Sequence, residues 1–126
     1  MTVAWVTKFE SSDESFIVGF YETEWAAYMG GVQTEFEYMH ELYHLARKYE
    51  EPSDYYKCIS RLGAVDWADD EARESWKKQH VETRELLHGN KTGKPRFIVW
   101  KCESEHELVL KKEADVLKEW KFEPVE

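Results

Sequence analysis

Val3, Trp5, Thr7 and Phe9 fall on one side of an extended chain and Ala4, Val6 and Lys8 on the other, the period-2 pattern of a half-buried strand. The polar run Ser11-Ser12-Asp13-Glu14-Ser15 reads as a turn, and Phe16 to Tyr21 as a second strand, so the two pair as a hairpin. The period then lengthens. Thr23 reads as the N-cap of a short helix through Met29, and Gly30-Gly31 closes it before another helix begins. In that second helix Phe36, Met39, Leu42, Tyr43, Leu45, Ala46 and Tyr49 share one half of the wheel, while Glu37, His40, Glu41, His44, Arg47 and Lys48 share the other.

Pro52-Ser53 starts a third short helix with Tyr55, Ile59 and Leu62 inward, stopped by Gly63. Asp66 then caps the longest helix, Trp67 to His88, which Gly89 closes; its apolar positions Trp67, Ala72, Trp76, Val81 and Leu87 are sparse, so much of it faces water or a partner. Phe97 to Cys102 is a clear strand. Ser104-Glu105-His106-Glu107 fits a capping box opening a helix with Val109, Leu110, Val116 and Leu117 on one stripe, and Trp120-Lys121-Phe122 returns as a last strand. The order ββαααα βαβ predicts one α+β domain over residues 1–126, with about four strands in a mixed, largely antiparallel sheet covered by helices and a right-handed crossover in its last part.

Charge sharpens the picture. Of the formal net charge of −9, residues 1–75 hold 16 acids against 6 Lys/Arg, whereas residues 76–126 hold 10 against 11. An acidic first part repels nucleic acid and anionic lipid and favours basic protein surfaces. Cys58 and Cys102 have no metal or disulfide-framework spacing, and neither a secretory signal nor a membrane-length apolar stretch is visible, so the expected setting is cytoplasmic with free thiols.

The sharpest chemical motif is His40-Glu41-Leu42-Tyr43-His44. It resembles the H-E-x-x-H of zinc peptidases, in which two histidines one helical turn apart hold the metal and the glutamate polarises its water. The resemblance covers these five residues. The extended form is missing, since Arg47 stands where Gly is expected and Glu50 where the third His is expected; a third ligand would have to come from an acid such as Glu71, Glu74 or Glu82. The histidines also lie on the polar side that any amphipathic helix would have. Gly89 to Arg96 fails as a phosphate loop, because its glycines are a residue too close and Pro95 replaces the magnesium-binding hydroxyl. No nucleophile motif is present.

Three functions follow as expectations. The first is a small acidic interaction protein without a cofactor, which binds and inhibits or modulates a larger basic protein, such as a nucleic-acid-binding one, through Glu35, Glu37, Glu41, Asp66, Asp69, Asp70, Glu71 and Glu74. In composition it is similar to the compact acidic accessory and inhibitor proteins of phages and mobile elements. The second is a zinc hydrolase using His40, His44 and Glu41. The third is nucleotide or nucleic-acid binding through the loop 91–96, with Lys91, Lys94 and Arg96 beside aromatics such as Trp76 and Trp100.

Overall fold

A computed structural model of the chain describes residues 1–46, 65–88 and 95–119, except for the side chains of residues 39–46, 86–88, 117 and 119. Its elements are β1 (Thr2–Glu10), β2 (Ser15–Tyr21), α1 (Glu24–Ala46), α2 (Asp70–His88), β3 (Arg96–Ser104) and α3 (Glu113–Glu119). The chain divides into two compact units, residues 1–48 with 93–121 and residues 49–92 with 122–126.

The first unit is built on an antiparallel sheet of order β2-β1-β3. The expected hairpin forms. Ser11 shapes its turn: its backbone N–H donates to the Glu14 carbonyl at 2.8 Å, and its hydroxyl accepts from the Asp13 and Glu14 N–H groups. Thr7 pairs with Gly19 but Lys8 with Ile17, so Val18 is an extra residue in β2, and the resulting bulge bends that edge. Because β1 is the central strand, it is buried on both faces. Thr7 and Phe9 turn toward α1, while Ala4 and Val6 are buried on the opposite face, where Val6 lies between its cross-strand neighbours Phe20 and Trp100. That second face also carries Ile17, Ile98 and Trp100, each about two-fifths exposed or more.

Helix α1 starts where the sequence places it, with the Thr23 hydroxyl accepting from the Ala26 N–H at 3.1 Å. It does not stop at Gly30-Gly31. One helix runs from Glu24 to Ala46 where two were expected, and the glycines are seats for the sheet. A Cβ on Gly30 would stand 2.6 Å from Cζ of Tyr21, and one on Gly31 would stand 2.6 Å from Cγ of Phe97. Both glycines, with Ala26 and Ala27, are buried, so the helix backbone comes close to the strands. The Thr7 hydroxyl completes the seam by donating to the Ala27 carbonyl at 2.7 Å, a buried bond worth about 1 kcal/mol.

The helix expected to open at Ser104 starts only at Glu113. The Ser104 hydroxyl accepts from the His106 N–H at 3.1 Å, a local turn, and the chain continues to Lys111 without helix. Lys111 bridges to the end of β2, its N–H donating to the Phe20 carbonyl at 2.8 Å and its carbonyl accepting from Glu22 at 3.2 Å. This pairing holds the segment extended, leaves Val109 in solvent, and delays α3 until Glu113, from which Val116 turns inward. Among the described residues the sheet therefore has three strands. The expected short helix at 52–62 and the expected strand at 120–122 lie outside the described residues.

In the second unit, α2 begins at Asp70, three residues later than the sequence reading placed it. No helix among the described residues is long and apolar enough to cross a membrane.

Candidate functional site

The start of α2 gathers five of the expected carboxylates, Asp66, Asp69, Asp70, Glu71 and Glu74, all of them exposed. Two have structural work. The Asp66 carboxylate accepts from the Ala68 N–H at 3.1 Å and its carbonyl accepts from Asp69, closing a turn before the helix. Asp69 is the actual N-cap, its carboxylate accepting from the N–H groups of Glu71 at 3.0 Å and Ala72 at 3.3 Å. Cap and turn are thus assigned to different aspartates, which is why the helix starts later than a cap at Asp66 would require.

Two cations on the same turns moderate the charge. Arg73 pairs with Asp70 at 2.6 Å, lies 3.6 Å from Glu74, and donates to the Trp67 carbonyl at 3.1 Å. Lys77 approaches Glu74 at 3.5 Å and stands over the Trp67 ring. These pairs are at the surface, where each is worth about 0–1 kcal/mol and screens its charges incompletely. Five carboxylates against two cations leave this end of α2 net negative. Beneath it, the ring of Trp76 lies 6.3 Å from that of Trp67 and stacks at 5.0 Å, almost parallel, on His80. Trp76, His80 and Arg84 form the buried stripe of the helix at a spacing of four.

The other expected acids belong to the first unit. Glu35 is fully buried in α1 and has no part in an exposed surface, whereas Glu37 is exposed. The backbone of α1 carries His40, Glu41 and His44, but their side chains lie outside the described residues. Of the groups expected for nucleic-acid contact, Trp76 is buried against His80 and presents no face to a base, Trp100 is exposed, and Lys91 and Lys94 lie outside the described residues. Arg96 is committed to Glu10 at 3.1 Å. Lys8 approaches the same carboxylate at 3.3 Å, and hydrogen bonding first to Lys8 and then to Arg96 holds Glu10 below the ordinary carboxyl range.

The sequence reading did not foresee a cavity of about 180 Å³ in the first unit, set between one face of α1, β2 and the Lys111 segment. Gly30, Gln33, Thr34 and Glu37 line it from the helix, Val18 and Tyr21 from the strand, and Lys111 and Val116 close it. The helical residues follow the spacing of three and four that defines one face. That spacing was available in the sequence, but the helix break expected at Gly30-Gly31 separated Gly30 from the others.

Compared with known protein families, curated proteins and solved structures, the chain matches none.

Proposed function

We propose that this is a non-enzymatic interaction protein whose acidic opening of α2 meets a basic surface on a larger protein and occludes it. The observation that carries this reading is the exposure of Asp66, Asp69, Asp70, Glu71 and Glu74 around the first turns of one helix, opposed locally by Arg73 and Lys77 alone among the described residues of that segment. Carboxylates held by a cap, a turn and an arginine are partly ordered before any partner arrives, so less side-chain freedom is lost on docking.

Asp70 and Glu71 are the positions to test, because Asp66 and Asp69 also hold the backbone. Protein immobilised in cell extract should capture a basic partner at low salt and release it as salt rises, and Asp70→Lys with Glu71→Lys should abolish capture. A partner retained by that variant would refute the proposed surface.

A further inference from the structure

We propose that the outer edge of β3 is a self-association surface, on which a second copy of this chain adds its own β3 antiparallel, with Cys102 opposite Cys102. In the order β2-β1-β3, β3 is an edge, and among the described residues no strand pairs with its outer side. Ile98, Trp100, Lys101 and Glu103 are exposed along it. An open edge of this kind is a template for another strand.

The direction of its backbone groups follows from the bonds at β2. There the Phe20 carbonyl and the Glu22 N–H both turn outward, to Lys111, so Tyr21 between them turns to β1. In an antiparallel ladder the side used alternates residue by residue. Tyr21 pairs with Trp5, so Trp5 is turned to β2 and Val6 to β3, where Val6 meets Trp100. Trp100 and Cys102 therefore give their N–H and carbonyl groups to β1, and Val99, Lys101 and Glu103 hold theirs toward the open edge.

Charge selects the occupant. A lysine on an edge strand ordinarily discourages pairing. Here Lys101 and Glu103 flank Cys102 with opposite signs, so a two-fold copy of β3 centred on Cys102 sets each lysine opposite a glutamate. The neighbouring registers that keep every side chain on its own face set Lys101 against Lys101 or Glu103 against Glu103. A parallel copy in register also sets like against like. The Lys101 ammonium lies 5.8 Å from the centroid of the Trp5 ring, a contact that leaves it donors for a carboxylate across the strand pair. On the sheet face opposite α1, Trp100 is 39% exposed. In this register it stands opposite Ser104 and diagonal to Cys102 of the second copy, within reach of a large ring, so association covers it.

Sedimentation equilibrium of the full chain tests the assignment, in about 0.15 M salt, where repulsion between the net charges of −9 is screened beyond about 8 Å. The interface is short, with about four backbone hydrogen bonds, so the expected dissociation constant is on the order of 0.1 mM. Lys101→Glu and Glu103→Lys should each weaken the dimer at least about tenfold, because symmetry applies each reversal twice. An equimolar mixture of the two restores opposite signs and should associate like the parent. With Cys58→Ser leaving Cys102 as the sole cysteine, copper-phenanthroline oxidation in air should link the chains, since residues facing each other at such a position have Cα atoms about 4.5 Å apart. A chain that is monomeric at about 0.5 mM, fivefold above the expected constant, would overturn the proposal and leave the edge to a strand of another protein. So would single variants that associate like the parent, a mixture that does not recover, or a dimer that fails to cross-link.

Discussion

At the scale of single residues, the glycines of α1 show how a local rule yields to packing. By helix propensity, Gly31→Ala should gain up to about 1 kcal/mol. Here the added methyl meets the Phe97 ring, a buried aromatic that the sheet holds in place, so the substitution should instead cost about 1–3 kcal/mol in urea denaturation. An alanine variant more stable than the parent would contradict this packing. Gly-Gly reads as a helix end in sequence because nothing local reveals that Tyr21 and Phe97 need the room. Glu10 gives a second test. Its folded pKa is lowered by Lys8 and Arg96, so its contribution to stability is complete above the unfolded carboxyl value near 4.5 and is lost as pH falls through the lower folded value. The stability difference between the parent and Glu10→Gln should therefore be present at neutral pH and vanish on acidification, as pH-dependent denaturation will show. A difference that persists in acid would refute it.

Among elements, the hairpin and the N-cap of α1 were legible because their determinants are local: alternation in β1 and β2, and a threonine before a glutamate. The start of α2 was legible to within a turn, since three nearby aspartates offer rival caps. Asp69→Ala should cost about 1 kcal/mol, with faster amide exchange at Glu71 and Ala72, while Glu71→Ala should change stability much less. Equal losses from the two would remove Asp69 as the cap. The segment after Ser104 was misread for a different reason. A serine followed three residues later by a glutamate fits a capping box, but the decisive bonds are those of Lys111 with Phe20 and Glu22, about ninety residues away in sequence. The buried stripe of α2 escaped too, because His80 and Arg84 count as polar in any hydrophobicity pattern although they follow Trp76 at helical spacing.

For the whole molecule, the charge asymmetry of the sequence resolves into unequal parts. Glu35 is buried, and Glu10 is occupied by Lys8 and Arg96, whereas the carboxylates at the start of α2 remain exposed. Counting acids could not separate these, since burial and pairing are tertiary facts. The most direct test of the proposed function is hydrogen exchange on the complex with the captured partner. Protection should appear across residues 66–74 at low salt and fade as salt is raised. Protection confined to the sheet, with residues 66–74 exchanging as in the free protein, would contradict it.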